Sequence, residues 1–344
     1  MDQPLQSEDL IYASIGAEES RAQLNSSQQS VWNANDQIVI HSPTKAMLYK
    51  FKGKSGDREG SFQSAGTFNF SNFASYGFKK YYALYPYENW AGVGSFNDGS
   101  PAIFFTVPAE QTYTEGSYGI HANTMFATSD NGSRYTFMNL MGYIRVSIKG
   151  KKSIASIELQ GSNSETLAGT MYISPDTPFS PAWYSGGGDL SSKITIKCAS
   201  DIQLSDKAVD FYFALPPMTL SKGLVINICY TDGTSYAKNT GKSITIERNA
   251  ILPFTAFTAK DSNDWQTAVI YHTGAEIIAP AVLGEAVLGT INWGDGATSV
   301  IGELTKRYYT DDKNSHTITI ETLNSTGIQL QSCEGVSKID LSQF

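Results

Sequence analysis

Cysteine is scarce. The chain carries three, Cys198, Cys229 and Cys333, too few to staple a fold. None belongs to a C-x-x-C pair, which removes the usual start of a zinc site. A Cys198–Cys229 bridge is possible on paper, but Cys198 shares parity with Ile194 and Ile196, as a small buried hydrophobe does. The four histidines, His41, His121, His272 and His316, fall in no H-x-H or H-x-x-x-H spacing, so metal ligation has nothing to build on. No G-x-S-x-G and no P-loop occurs. Gly186-Gly187-Gly188-Asp189 sits in a Ser/Pro loop with no helix after it, which argues against phosphate cradling. No cofactor is expected.

Other absences narrow the setting. There is no run of about 18 apolar residues, and hence no transmembrane helix. Met1-Asp2-Gln3-Pro4 lacks the basic start and apolar centre of a signal peptide, so the chain reads as cytosolic or as a mature form whose signal is gone. A composition rich in Ser, Thr, Asn, Gly and Tyr leans towards export. Charged residues are only 17%, and 25 Lys+Arg against 33 Asp+Glu give a net charge of −8. Nothing there could neutralise a row of phosphates, so nucleic acid is excluded as a partner, and so is an electrostatic dock on anionic lipid.

What is abundant points to strands. Hydrophobic residues make up 41% and aromatics 12%, with 19 Tyr, 17 Phe and 30 Gly. The clearest pattern runs from Tyr135 to Leu159. Met138, Leu140, Ile144, Val146 and Ile148 fall on one parity, and Tyr143, Arg145, Ser147 and Lys149 on the other. After Gly150-Lys151-Lys152-Ser153, Ala155, Ile157 and Leu159 alternate with Ser156 and Glu158. Period two means a strand with one face buried, and two such runs across a short polar break read as antiparallel neighbours. Further strands are expected at Leu10–Ile15, Gln37–Ile40, Met47–Phe51, Tyr81–Tyr85, Ile103–Val107, Gly169–Ile173, Lys193–Cys198, Phe211–Leu215, Leu224–Tyr230 and Ala268–His272. Asp232-Gly233 is the strongest hairpin signal. Gly53 to Gly60 reads as a loop.

The expected fold class is therefore all-β, with β-sandwiches rather than helical layers. Asn131-Gly132 marks a first boundary and Lys260 to Asp264 a linker, giving regions 1–133, 134–260 and 261–344. The third region is small and β-rich.

The ordered set of segments resembles the fimbrillin-like pilin subunits of Bacteroidales, the major and minor fimbrillin superfamily. Trp32 followed by Asp36-Gln37-Ile38-Val39-Ile40 is similar to that family's entry into its first core strands. Tyr85-Pro86-Tyr87 is similar to its strand end, and Pro108-Ala109-Glu110-Gln111 to its P-x-x-Q turn. Phe126-Ala127-Thr128, Tyr135 to Ile148, Ile154 to Leu159 and Leu167-Ala168-Gly169 match its entry to a second domain. Leu215-Pro216-Pro217-Met218-Thr219-Leu220, Gly223-Leu224 and Lys242 to Asn249 match later strands. The resemblance covers roughly residues 10–258.

That resemblance implies two tandem transthyretin-like, Greek-key β-sandwich domains, followed here by the extra C-terminal region. It implies export by a lipoprotein signal to the outer membrane and assembly into surface pili. An arginine-specific protease would remove the first strand, and a strand of a neighbouring subunit would take its place. The matching positions are the strand Leu10, Ile11, Tyr12, Ala13, Ser14 and Ile15, and the following Arg21. The plainer alternative is a permanent strand and a solvated Arg21. A subunit that accepts a strand and adds a separate region fits a fibre tip, with stalk pilins and a surface glycan or protein receptor as partners. A pilus anchor, a non-polymerising glycan-binding lipoprotein and a glycan-active enzyme are the competing readings.

A few residues could carry recognition or chemistry. Trp293-Gly294-Asp295-Gly296 is similar to the W-G-D-G turn of PKD-like modules. The favoured role is structural, with Trp293 packed beneath a turn capped by Asp295; the other is ligand contact. Trp183 and Tyr184, in the aromatic loop from Pro178, could stack on a sugar ring or pack in the core. The carboxylate pairs Glu18-Glu19 and Asp311-Asp312 could do acid–base work but read more simply as turn charges. Asp311-Asp312-Lys313-Asn314 lacks the spacing and glutamate of a calcium loop.

Overall fold

The fold was analysed in a computed structural model, which describes residues 10–16, 30–68, 73–175, 177–186, 189–260, 265–284, 287–310, 315–323, 325–331 and 334–344. Arg21, Glu18-Glu19, Gly187-Gly188, Asp311 to Asn314 and Cys333 lie outside the described residues. Among those described, the helical pieces are two short 3₁₀ turns, Phe73–Tyr76 and Tyr87–Asn89, and everything else regular is strand. No helix among them is long and apolar enough to cross a membrane. The all-β expectation holds.

In chain order the strands used below are β1 (Leu10–Ile15), β2 (Gln37–His41), β3 (Ala46–Phe51), β4 (Glu59–Phe68), β5 (Tyr81–Tyr85), β6 (Trp90–Ser95), β7 (Pro101–Val107) and β8 (Glu110–Thr112). They continue with β9 (Met125–Ser129), β10 (Arg134–Asn139), β11 (Gly142–Lys149), β12 (Ser153–Gly161), β13 (Gly169–Ile173), β14 (Ala182–Trp183), β15 (Lys193–Gln203) and β16 (Val209–Leu215). Residues 1–238 with 242–261 form one compact unit, and residues 262–344 with 239–241 a second.

Seven strands of the first unit close into a barrel in the order β1-β10-β9-β5-β2-β3-β4. Its interior is aromatic. Trp32 is fully buried and meets Phe62, Tyr85 and Phe137 edge-on at 5.2, 5.3 and 5.4 Å between ring centres. Such edge-to-face contacts align ring edge with ring face and add to the burial term. The other parity of the same strands, Val39, Leu84 and Phe126, joins a larger core that also holds Ile144, Val146, Ile157, Ile194, Phe213 and Ile228. Barrel and second sandwich are thus fused through one continuous apolar layer.

The strand pairing corrects two expectations. β10 hydrogen-bonds within the barrel, to β9 and β1, so a boundary at residue 133 cuts a strand away from its sheet. β7 and β8, from the first sequence region, pair instead with β13 and β15 of the second. Gln111 shows why β8 belongs there. Its amide nitrogen donates to the Ala214 carbonyl at 2.7 Å, and its amide oxygen accepts from the Ala214 N–H at 3.1 Å.

The Tyr135–Leu159 stretch is also not a hairpin. β11 pairs with β16, and in parallel with Ile251–Pro253 and Phe257–Thr258. β12 pairs with β15 and Leu224–Tyr230 in a different sheet. The polar link Gly150–Lys152 carries the chain from one sheet to another. Ile144, Val146 and Ile148 are fully buried as expected, but Met138 is half-buried, and Tyr135, Phe137 and Asn139 on the opposite parity are the buried residues of β10. The expected Asp232-Gly233 turn is present. Gly233 takes a φ of 84°, and the Asp232 carboxylate accepts from Thr234 N–H and Oγ1–H at 3.0 and 2.6 Å.

The second unit is built on a five-stranded sheet in the order Thr298–Val300, Leu288–Asn292, His316–Leu323, Gln266–His272, Val336–Gln343. Its core gathers Ala268, Ile270, Ile277, Ile291, Trp293, Ile318 and Ile320. The described cysteines, Cys198 and Cys229, are free, so the Cys198–Cys229 bridge does not form.

Candidate strand-exchange site

β1 alternates apolar and polar because it stands in a barrel wall. Ile11, Ala13 and Ile15 point inward and are 4%, 0% and 4% exposed, whereas Leu10 is 46% exposed. The three inward side chains join the cluster of Trp32, Phe51, Phe62, Tyr135 and Phe137. On one side β1 runs antiparallel to β4, with Leu10 opposite Gln63 and Ser14 opposite Glu59. On the other it runs parallel to β10, from Tyr12 opposite Arg134 to Ile15 opposite Phe137. β1 is therefore the single stave between β4 and β10. Without it, the other six barrel strands remain joined to one another in the order β10-β9-β5-β2-β3-β4.

The ladder bonds anchor both ends of the strand. Tyr12 N–H donates to the Ser133 carbonyl at 2.9 Å, Ile15 N–H to the Arg58 carbonyl at 2.9 Å, and Gly16 N–H to the Phe137 carbonyl at 3.0 Å. Side chains add little. The Arg58 guanidinium donates to the Gly16 carbonyl at 3.2 Å, and the Ser14 and Thr136 hydroxyls sit 3.4 Å apart. The Arg134 guanidinium lies over the Tyr12 ring, 5.1 Å from its centre. Desolvation first, then the neighbouring Glu59, raises the Tyr12 phenol above its ordinary value. Backbone bonds and three apolar side chains are a form of attachment that any strand of matching pattern could reproduce.

Of the residues singled out in the sequence, Leu10 to Ile15 form this strand, while Arg21 is outside the described residues. Arg58 and the receiving carbonyls of Ser133 and Phe137 were not anticipated. Arg58 lies in the stretch read as a charged loop, and only the pairing reveals its position at the strand's end.

The sequence singles out Asp36 at the entry to the first core strands, but its burial was not anticipated. It closes the turn that leads from Trp32 into β2 and is 5% exposed. Its carboxylate accepts the Asn33 N–H at 2.8 Å. Burial pushes its pKa up from 3.8 to about 7, with the Asn33 N–H and Tyr85 hydroxyl pulling back part of the way and Glu88 adding to the rise. A pKa raised in the folded state means that the protonated acid stabilises the fold. That contribution is complete below about pH 4 and is lost as the pH rises towards 7. Each tenfold change in proton affinity is worth about 1.4 kcal/mol, so the ceiling is about 4 kcal/mol, and structural relaxation should leave about half. Asp36→Asn keeps an acceptor for Asn33 and removes the titration. We expect the variant to exceed the parent by about 2 kcal/mol in urea melts at pH 8 and to lose that lead by pH 5. A parent curve that is flat from pH 5 to 8 would contradict this assignment.

The remaining candidates lie on other elements of the chain. Trp183, on β14, is half-buried and packs against the core shared by barrel and second sandwich. Tyr184 is 41% exposed, and its ring stands edge-on to Phe104 at 5.1 Å. Phe179 in the same loop lies under the Arg248 guanidinium at 4.3 Å.

In the second unit Trp293 is fully buried, its indole N–H donates to Ser299 Oγ at 3.0 Å, and its carbonyl accepts from the Tyr309 hydroxyl. The Asp295 carboxylate accepts the Ala297 N–H at 3.0 Å and, through its other oxygen, Arg307 Nε–H and Nη2–H at 3.0 and 2.6 Å. Gly294 has φ 80°, and a Cβ there would meet the Thr317 carbonyl oxygen at 2.7 Å. Trp293 and Asp295 therefore hold the turn, in the structural role favoured from the sequence. Among the described residues no group of three or more His, Cys, Asp or Glu is placed to hold a metal.

No family model matches the chain, and no curated protein matches it. Solved structures with a similar chain path include a candidate cell adhesion protein of Bacteroides ovatus, 16% identical, covering 72% of this chain and 91% of that one, with a TM-score of 0.45. Another, from Bacteroides uniformis, is 13% identical over 74% and 93%, with a TM-score of 0.37. The minor pilin of Streptococcus agalactiae is 9% identical over 73% and 95%, with a TM-score of 0.19.

Proposed function

We propose that this chain is a non-enzymatic subunit of a surface pilus that assembles by strand exchange at the β1 slot. An arginine-specific protease cuts at Arg21, β1 leaves, and a strand of a stalk subunit enters between β4 and β10. The observation that carries this reading is that the outermost described strand of the chain fills a one-strand gap in an otherwise continuous sheet, with Ile11, Ala13 and Ile15 as its apolar row. An incoming strand gains the same ladder bonds, and its alternate side chains fix its register. The sequence resemblance supports export as a lipoprotein precursor to the outer membrane. A separate compact second unit suits a tip position, with that unit turned outward to meet a receptor.

The test is direct. The protein is treated with an arginine-specific protease, the released segment is washed away, and a synthetic donor-strand peptide of a stalk pilin is added. Two buried isoleucines are worth about 1.5–3 kcal/mol each, so the emptied barrel should melt on the order of 10 °C lower. The peptide should restore most of that loss. No cut before Trp32, and no stabilisation by any donor peptide, would sink the proposal.

A further inference from the structure

Two histidines of the second unit face each other in its core. His272 ends the strand Gln266–His272 and His316 opens the strand His316–Leu323, and the antiparallel register sets them directly opposite. They are 1% and 2% exposed. The Tyr309 ring stacks on His316 at 3.6 Å between ring centres and lies 5.9 Å from His272. We propose that His272 is an acid-sensitive latch on the C-terminal strand Val336–Gln343. Neutral, it packs as a core ring; protonated, it displaces the Gly335 turn and frees that strand. The device lies wholly in the second unit and does not depend on exchange at β1.

The groups around His272 suit its neutral form. From the facing strand comes His316, a second base. Next to both lies Tyr309, whose hydroxyl already donates to the Trp293 carbonyl at 3.0 Å. From the turn before the last strand comes a backbone group of Glu334, whose side chain belongs to an exposed residue. Glu276, just past Gly274, is held by Lys306 at 2.6 Å. Lys338 and Asp340 of the last strand stand opposite Tyr271 and Val269 and lie 3.6 Å from each other. Burial is the largest influence and holds the imidazole below its ordinary value; the Glu334 backbone pulls it part of the way back, and His316 pushes it further down.

Two backbone walls confine the ring. A Cβ on Gly274 would lie 3.0 Å from His272 Cε1, and one on Gly335 would lie 2.7 Å from Nε2. A charged imidazole must be solvated or paired, and walls this close leave no space for water. Gly335 is the wall that can move. Its carbonyl accepts the Thr273 N–H at 2.7 Å, and the strand that follows it lies at the end of the five-stranded sheet, paired only with Gln266–His272 among the described residues. That pairing slips between Tyr271 and His272 and again between Thr267 and Val269. Ile339 and Leu341 are 42% and 49% exposed, so little apolar burial holds the strand. His316–Leu323, in contrast, is bonded on both sides.

A histidine whose proton affinity falls on folding stabilises the fold fully above about pH 6.5, and that contribution is lost as the pH drops below it. Each pH unit below that value raises the opening constant by up to about tenfold. Hydrogen exchange of the full chain, corrected for the intrinsic rate, reads this at about pH 7.5 and about pH 5. The opening constant of the amides in Val336–Gln343 should rise about tenfold or more, while those of His316–Leu323 keep their protection. His272→Gln, which takes no proton, should abolish the rise, and His272→Leu provides the same test should the amide fail to fold. The wild-type imidazole resonances need no variant, and His272 should titrate below about 6.5. An opening constant that ignores pH, equal loss of protection from both strands, a response retained in the variants, or a His272 that titrates at or above its ordinary value would each overturn the latch.

Discussion

Ile144→Asp is expected to unfold the first unit. Ile144 lies on β11 opposite Phe213 and Leu252, is fully buried, and belongs to the core shared by barrel and second sandwich. Removing the side chain alone would cost about 2–5 kcal/mol. The carboxylate then finds no water and no cation on that face, which adds at least several kcal/mol. The sum is comparable to the whole stability of an ordinary domain, about 5–15 kcal/mol. Circular dichroism and calorimetry should show the main transition absent at 25 °C. Ile144→Val, which deletes one methylene, should cost only about 0.5–1.5 kcal/mol and serves as the control. An Ile144→Asp protein that melts like its parent would mean that β11 is not a core strand.

The same strand shows what can and cannot be read from a sequence. Ile144, Val146 and Ile148 alternate, and they are core. Met138 and Leu140 share their parity, and only Leu140 is buried. The chain leaves the barrel at Leu140-Met141 and enters a new sheet, and the inward face changes there. Two strands of different sheets can sit end to end in a sequence with no break in alternation, so parity alone cannot reveal the switch. The polar link Gly150–Lys152 is equally ambiguous. A short polar segment can fold back as a hairpin within a sheet or pass over to the facing one, and only the partners of β12 decide.

Strands with strong local signals were legible, including Leu10–Ile15, Tyr81–Tyr85 and Leu224–Tyr230. β4 was not, because Glu59–Phe68 is rich in Gly and Ser and buries only Phe62 fully. Its role as one wall of the β1 slot comes from its pairing, a non-local fact. The site shares that property. The apolar row of β1 could be read from alternation, whereas Arg58, Ser133 and Phe137 lie far along the chain from the residues they serve. Asp295 shows the reverse case. Its turn was readable from W-G-D-G, but the partner that occupies its carboxylate, Arg307, is twelve residues on and outside any motif.

Ala13→Asp should release β1 without collapsing the rest of the unit. Ala13 is fully buried, opposite Tyr135 on one side and Gly60 on the other, in the cluster around Trp32. A carboxylate there has two outcomes. The strand can stay and bury the charge, at several kcal/mol after relaxation. Or the strand can leave, at the loss of its ladder bonds and of two isoleucines worth about 1.5–3 kcal/mol each. Leaving is available because β1 comes first among the described strands along the chain and the other six barrel strands stay paired without it, whereas Ile144 sits in a strand between β10 and β12 in the chain, paired with β16 and Ile251–Pro253. The expected signature is rapid proteolysis of the segment before Trp32, a melting temperature lower by on the order of 10 °C, and a retained β-sheet spectrum. A peptide of residues 8–17 should then raise the melting temperature by mass action, in proportion to the logarithm of its concentration above Kd. The same peptide carrying Asp in place of Ala13 should not. If the variant loses its sheet spectrum as Ile144→Asp does, or if the wild-type peptide fails to rescue it, β1 is an integral stave of the barrel and the slot is not exchangeable.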